Sequence, residues 1–292
     1  MSKARKLREA IKTERPLLAM GAFDAFTARM AERSGFKSVY IGSFATAASV
    51  SCLPDFGLMS ATEMADQMRR LAGATSLPCI ADADTGYGNA LNVDRTVRLY
   101  EAAGVAAIQI EDQVSPKKCG HIAGKQVIPS EEMVQKVRAA VAARQDADFV
   151  IIARTDSRAV HGLDDAIARC RAYAQAGADA LFVDAPESVA EVEKIGRALG
   201  DLGKLQVFNS ARTGKTPPMR AADAGKLGFD IVLYPIEALL AAYPAMVEVM
   251  RTIRAEGTPE SMANRLAAFG EINDVLELDR YYEMERQFAA VR

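Results

Sequence analysis

The sequence predicts an α/β fold, a closed (β/α)8 barrel of the TIM type carrying extra helices at its C-terminal end. Eight short apolar runs, at 17–20, 39–41, 77–81, 107–110, 149–153, 180–183, 205–208 and 231–233, are each followed closely by polar or turn residues and read as strands. Segments of helical spacing lie between them, as at 60–72, 92–103, 130–143, 163–176 and 189–199, and such alternation implies a parallel sheet. A weak repeat favours closure over an open doubly wound sheet. Ser34-Gly35-Phe36, Ala103-Gly104-Val105, Ala176-Gly177-Ala178 and Leu227-Gly228-Phe229 each end a helix-like run just ahead of a strand, where glycine suits the left-handed cap of a short connection.

The first strand is preceded by a charged amphipathic stretch, 1–16, without the apolar run of a secretory signal. After the eighth strand the pattern becomes wholly helical. One helix is expected at 236–255, kinked or divided by Pro244, and Thr258-Pro259-Glu260 reads as the opening of another. Phe269, Ile272, Val275, Leu276, Tyr282 and Phe288 then recur mostly at three- or four-residue steps. The expected organisation is one barrel domain over 1–292 with 236–292 as a helical extension. These helices exceed what one barrel needs, so they pack either on its own wall or against another subunit, and exchange between subunits of a homo-oligomer, a tetramer, is the expectation.

Composition excludes several function classes. The 36 Lys and Arg nearly balance 38 Asp and Glu, for a formal charge of −2, and no long basic block exists, so no nucleic-acid or polybasic membrane footprint is expected. Cys52, Cys79, Cys119 and Cys170 lie far apart with no C-x-x-C pair, which argues against a disulfide framework or a structural zinc site and for a reducing, cytoplasmic setting. No window reaches the roughly 18 consecutive apolar residues of a membrane span.

In a βα barrel the active site forms at the C-terminal ends of the strands. The residues just after the apolar runs are Asp24, Ser43, Asp82 with Asp84, Glu111 with Asp112, Arg154 with Asp156, Asp184 and Asn209. Asp82 and Asp84, two apart on a strand, are expected to project to one side. Two such carboxylates repel unless a cation sits between them, and with Asp55 and Glu111 nearby the group reads as a site for partly hydrated Mg²⁺ or Mn²⁺. The alternative is a solvated acidic loop. Lys117-Lys118-Cys119-Gly120-His121 lies in a polar loop flanked by Pro116 and Gly124; two lysines and a histidine beside a cysteine would lower its pKa and keep it reactive, whereas a lone cysteine is more often inert and buried. Two motifs are decoys. Gly86-Tyr87-Gly88 lacks the third glycine of a dinucleotide fingerprint, and Gly214-Lys215-Thr216 has Asn209 where a phosphate loop needs glycine. No G-x-S-x-G elbow supports a serine hydrolase.

Glu111-Asp112-Gln113 followed by Lys117-Lys118-Cys119-Gly120-His121 resembles the signature of the isocitrate lyase/phosphoenolpyruvate mutase superfamily. Leu53-Pro54-Asp55, Asp82-Ala83-Asp84-Thr85-Gly86-Tyr87-Gly88 and Ile152-Ala153-Arg154-Thr155-Asp156 also look like that family's motifs, in the same order, and the length is similar to its short 2-methylisocitrate lyase and 2,3-dimethylmalate lyase branch. The resemblance implies Mg²⁺-dependent cleavage of a 2-hydroxy di- or tricarboxylate into a 2-oxoacid such as pyruvate and a smaller acid. It implies Asp82, Asp84, Asp55 and Glu111 at the metal, Arg154 on a carboxylate or oxyanion, and Cys119 on a closing loop at about 114–126 as the acid. Tyr40 is the candidate acceptor of the hydroxyl proton, with a packed strand tyrosine as the bland reading. Gly42, Ser43, Phe44, Lys117, Gly120, His121, Asp184, Asn209 and Arg212 would contact the small carboxylate substrate.

Three departures bear on that substrate. Gly42-Ser43-Phe44 replaces a Ser-Gly-Gly turn, Arg212 stands at the place of an acid, and Asp184 replaces a glutamate, which together imply a smaller or differently charged distal group than in methylisocitrate. The same scaffold also serves oxaloacetate hydrolases and decarboxylases and a carboxyphosphonoenolpyruvate mutase. A non-catalytic barrel acting as a binding module is the reading outside enzymes.

Overall fold

The computed structural model describes residues 1–120, 122–212 and 214–289. Eight parallel strands close into a barrel in sequence order: β1 Leu17–Gly21, β2 Ser38–Ile41, β3 Cys79–Asp82, β4 Ala107–Glu111, β5 Val150–Thr155, β6 Ala180–Val183, β7 Leu205–Asn209 and β8 Ile231–Tyr234, with β1 pairing β8. The expected eight strands and their closure are therefore all present. The helices are α1 Lys3–Thr13, α2 Ala25–Arg33, α3 Ser43–Ser51, α4 Ala61–Ala74, α5 Ala90–Ala102, α6 Ser130–Ala143, α7 Arg158–His161, α8 Leu163–Gln175, α9 Val189–Leu199 and α10 Ala221–Lys226, followed by α11 Glu237–Glu256, α12 Phe269–Val275 and α13 Leu278–Phe288.

Local chemistry explains the connections. Gly35, Gly104, Gly177 and Gly228 all have φ between +87° and +107°, the left-handed cap that a side chain would strain. Helix starts are capped as well. Ser60 accepts from the Glu63 amide ahead of α4, and Ser188 accepts from Glu191 ahead of α9. Asp24, expected at the active rim, instead caps α2, its carboxylate accepting from the Thr27 amide at 2.7 Å. That corrects its assignment, because a side chain bound to its own helix start is not presented to a ligand.

Two apolar layers hold the barrel. One lies between the strands and the surrounding helices. The other fills the interior with Leu17 and Ala19, Val150 and Ile152, Ala180 and Phe182, Ile231 and Leu233, each pair two residues apart and so on one face of its strand. Leu7 and Ile11 of α1 join this inner layer. The amphipathic N-terminal stretch is thus a helix that contributes to the barrel's interior core.

The chain divides into two compact units, Met1–Glu237 and Ala238–Arg292. In the second, α11 runs through Pro244 without division. The expected α-helix after Pro259 is a 3-10 turn, Glu260–Arg265, with Pro259 at its cap. Its Met262 departs from helical geometry, so the segment cannot extend into an α-helix. No helix of the described residues is long and apolar enough to cross a membrane.

Candidate active site

Continuing the inward-facing alternation by one step past the apolar layer gives the site. Ile80 is followed by Asp82, Ile152 by Arg154, Phe182 by Asp184 and Val207 by Asn209, so the barrel presents polar groups where its apolar filling ends. Together with Tyr40 of β2 these line a cavity of about 220 Å³. Its remaining wall comes from the start of α3 (Gly42, Ser43, Phe44), from Asp55, from the loop carrying Lys117, Cys119, Gly120 and Ile122, and from Ala211, Arg212, Gly214, Pro235 and Ile236 beyond β7 and β8. The cavity has two characters: acids and Arg154 at the strand ends, and an apolar side of Phe44, Ile122, Ala211, Pro235 and Ile236.

At the acidic end a buried ammonium sits among carboxylates. Lys117 Nζ lies 2.5 Å from Asp55 Oδ1 and 2.9 Å from Asp84 Oδ1, and donates to Ser43 Oγ at 2.8 Å. Ser43 Oγ in turn donates to Asp82 Oδ2 at 3.0 Å. Burial opposes the Lys117 charge, yet Asp84, Glu111, Asp55 and Asp82 together hold its pKa well above the ordinary lysine value. Burial pushes the Asp84 carboxyl up to about 6, reinforced by Asp82 and Asp55 and resisted by Lys117. Burial likewise raises Glu111 well above the usual range. Both Glu111 carboxylate oxygens are buried without a hydrogen-bond partner, the nearest cation being Arg154 Nε at 3.3 Å.

These acids fit a divalent cation. A buried carboxylate left without donors is costly, and one lysine does not balance four carboxylates. Among the described residues no three His, Cys, Asp or Glu side chains close into a ready cage. Mg²⁺ keeps several waters and takes one or two direct carboxylates, so it needs no such cage. The strand-alternation argument for Asp82 and Asp84 needs correction, however. β3 ends at Asp82, and Asp84 lies beyond it in the left-handed region at φ +48°, its amide donating to Asp82 Oδ1 at 3.1 Å. A turn, not a strand face, brings the second acid to the group.

Arg154 lies beside the acids. The parallel register sets it directly beside Glu111. Its guanidinium binds Asp156 through Nε and Nη2, both at 3.0 Å, reaches Asp184 Oδ2 at 3.0 Å, and lies 5.3 Å from the centre of the Phe182 ring. Burial works against its charge, but Asp156, Asp184 and Glu111 keep it firmly protonated, and burial of Asp156 is outweighed by Arg154 and Lys125, which hold that carboxyl below the usual range. Asp112 points elsewhere: it accepts from Thr155 Oγ1, Tyr173 Oη, Arg169 Nη1 and the Asp156 amide, and so fixes the end of β5.

The loop between β4 and α6 is closed at its base by an antiparallel bridge, Gln113 to Val127, and by the Val114 amide donating to Gln126 O. These bound the segment expected to close at 114–126. Within it the Cys119 amide donates to Asp55 O at 3.1 Å, so the thiol residue is tied to an acid of the opposite wall and lines the cavity, half-buried. Lys117 is committed to the acids, and Lys118 Nζ donates to Gly124 O at 2.9 Å. The two ammonium groups thus serve to hold the loop.

A model described as phosphoenolpyruvate phosphomutase matches residues 7–254. The chain belongs to this family. It is 41% identical to the 2,3-dimethylmalate lyase of Eubacterium barkeri over 292 residues, all of both chains. A crystal structure of 2,3-dimethylmalate lyase, described as a member of the PEP mutase/isocitrate lyase superfamily, superposes with a TM-score of 0.92 at 36% identity, covering 99% of this chain and 96% of that one. A phosphonopyruvate hydrolase solved with oxalate and Mg²⁺ superposes with a TM-score of 0.90 at 33% identity, covering 99% and 100%. The phosphomutase-family scaffold thus carries more than one named chemistry.

In this family member the expected Tyr40, Gly42, Ser43, Phe44, Asp55, Asp82, Lys117, Cys119, Gly120, Arg154, Asp184, Asn209 and Arg212 all line one cavity. Asp84 and Glu111 complete the charge around Lys117 just behind it. His121 lies outside the described residues. The Gly42-Ser43-Phe44 turn is the N-terminus of α3, with Gly42 at the cap. Burial and the neighbouring Asp82 push the Tyr40 phenol well above its ordinary pKa, with Arg154 and Lys117 pulling the other way. Sequence reading missed Lys125, which is buried against Asp156 and Asp184. Its sequence signal was only a lysine six residues beyond the cysteine.

Proposed function

We propose that this protein is a metal-dependent carbon–carbon lyase that cleaves an alkyl-substituted 2-hydroxy dicarboxylate, of the 2,3-dimethylmalate or 2-methylisocitrate type, into a 2-oxoacid such as pyruvate and a smaller carboxylic acid. The observation that carries it is a cysteine-bearing loop seated over a cavity with clustered carboxylates and a buried arginine at one end. The named relatives support the same reading. The apolar side of Phe44, Ile122, Ala211, Pro235 and Ile236 suits alkyl substituents better than a third carboxylate, and Arg212 at its margin offers a positive charge to an acid that does reach it.

Asp82 and Asp84, with Asp55 and Glu111 through water, would hold Mg²⁺ or Mn²⁺, which when bound would polarise the oxygens of the oxoacid half. Arg154, held by Asp156 and Asp184 through Nε and Nη2, would offer its positive charge to the substrate carboxylate. Tyr40 would accept the hydroxyl proton only as its phenolate, the form that burial and Asp82 oppose and that Arg154 and Lys117 favour. As the hydroxyl becomes a carbonyl, the C2–C3 bond breaks and its electron pair passes to the departing fragment as an enediolate. The Cys119 thiol protonates that carbon. The half-buried site limits competing protonation by water.

A coupled assay for pyruvate over 2-methylisocitrate, 2,3-dimethylmalate, isocitrate and oxaloacetate tests this. The dimethylmalate type should be cleaved, and Cys119→Ser should lose at least about a hundredfold in kcat while Mg²⁺ and pyruvate still bind. Retained turnover removes the proposed acid, and activity confined to oxaloacetate moves the assignment to a hydrolase or decarboxylase. We also infer that the protein works as a homo-oligomer through Ala238–Arg292, because α11 has no buried residue and shows large apolar side chains along one stripe.

A further inference from the structure

Lys125 is a buried ammonium that the reaction scheme above leaves without a task. Its side chain is 1% exposed, and a charge so placed persists only when it is paired. Nζ donates to Gly120 O at 2.5 Å and to Asp156 Oδ1 at 2.7 Å, and lies 3.7 Å from Asp184 Oδ2. One side chain therefore ties the residue next to Cys119 to the ends of β5 and β6. The fit there is tight: a Cβ on Gly120 would lie 1.8 Å from Asp184 Oδ2 and 2.5 Å from Arg154 Nη2. On the other side of Cys119, Lys117 ties the loop to Asp55 and Asp84. The thiol residue stands between two ammonium clamps, one on each acidic group.

The same contacts bear on Arg154. Its guanidinium faces Asp156, Asp184 and Glu111, three carboxylates that compete with any arriving anion. Asp156 Oδ1 and Asp184 Oδ2 are the oxygens that Lys125 also approaches. Without that second cation, one guanidinium would answer to all three acids, and the field met by a substrate carboxylate would be more negative.

We propose that Lys125 is a positioning residue for the reaction: it holds Cys119 over the cavity and keeps Arg154 able to receive an anionic substrate. This rests on the lyase reading for what Cys119 and Arg154 do, but not for the clamp itself.

The test is Lys125→Met, compared with the wild type in Mg²⁺ and oxalate, scored by iodoacetamide labelling of Cys119 and mapped by peptide mass. Cys52 is exposed and serves as the internal reference, while Cys79 and Cys170 are buried. The expected result is a rise of at least about tenfold in Cys119 labelling relative to Cys52, a KM for the cleaved substrate higher by about tenfold, and a reduced kcat. Circular dichroism and calorimetric Mg²⁺ affinity should stay unchanged, which a general structural failure would not allow. An unchanged labelling ratio or unchanged kcat and KM in the folded variant overturns the proposal. Should the Met variant not fold, Asp156→Asn must give the same rise in labelling, and its absence is equally decisive. A wild type that cleaves none of the candidate acids sinks the lyase reading, while the labelling ratio still decides the clamp.

Discussion

At the scale of single residues, the most informative group is Asp84. Its carboxyl is pushed up to about 6 by burial and by Asp82 and Asp55. A folded-state pKa above the unfolded one means that the metal-free fold takes up a proton as pH falls from about 6 toward 4. This site therefore costs stability as pH rises through that window. A divalent cation must displace that proton, so Mg²⁺ affinity should weaken as pH falls through about 6, with about a tenth of Asp84 charged at about pH 5. Calorimetric titration at about pH 7.5 and about pH 5 should differ by about tenfold, and Mg²⁺ should raise the melting temperature more at the higher pH. Equal affinities would remove Asp84 from the metal site. The acids themselves were legible in the sequence as carboxylates just after a strand. Their geometry was not, because the left-handed turn at Asp84 breaks the alternation from which a shared face was argued. Lys125 was illegible for a different reason: a buried ion pair 31 residues apart in sequence leaves no periodic mark.

At the scale of elements, periodicity carried the strands and the longer helices, because each has an apolar face wide enough to repeat. The four glycine caps were legible for a local reason, since each needs a positive φ. α3 was not read. It has nine residues, six of them alanine or serine, and no strong apolar stripe, so its burial follows from its place at the barrel mouth. The loop at 114–126 was legible by composition, but its seating depends on contacts with three other strand ends. That seating predicts the behaviour of Gly120→Ala. The added methyl must displace either the Asp184 carboxylate or the Arg154 guanidinium, both already engaged in buried pairs whose disruption costs about 3–5 kcal/mol. The loop then rests away from the strand ends. Cys119 labelling should rise, kcat should fall by at least about tenfold, and the melting temperature should shift little, since the loop bears few core residues. A fully active Gly120→Ala enzyme would mean that the loop need not approach Asp184 during turnover.

At the scale of the whole molecule, charge and closure were readable from the chain while assembly was not. A near-neutral charge argues against a polyanion footprint, and eight strand–helix repeats specified the barrel, which the structure closes. The second unit, Ala238–Arg292, obeys a different logic. Leu240, Tyr243, Met246, Met250 and Ile253 recur every three or four residues along α11, a single helical stripe, yet each is between 39% and 66% exposed. Only Met262 and Val275 are buried among the described residues of this unit. An amphipathic helix normally buries its stripe, so this one calls for a covering surface, and a second copy supplies it under the homo-oligomer inferred above. Light scattering should then give the wild type a multiple of 31.4 kDa. Tyr243→Asp with Met250→Asp sets two charges on the stripe, at positions that do not line the cavity, and should return the mass to that of one chain. A wild type already at the mass of one chain would show that the stripe has some other cover, and would leave the catalytic assignment of the barrel untouched.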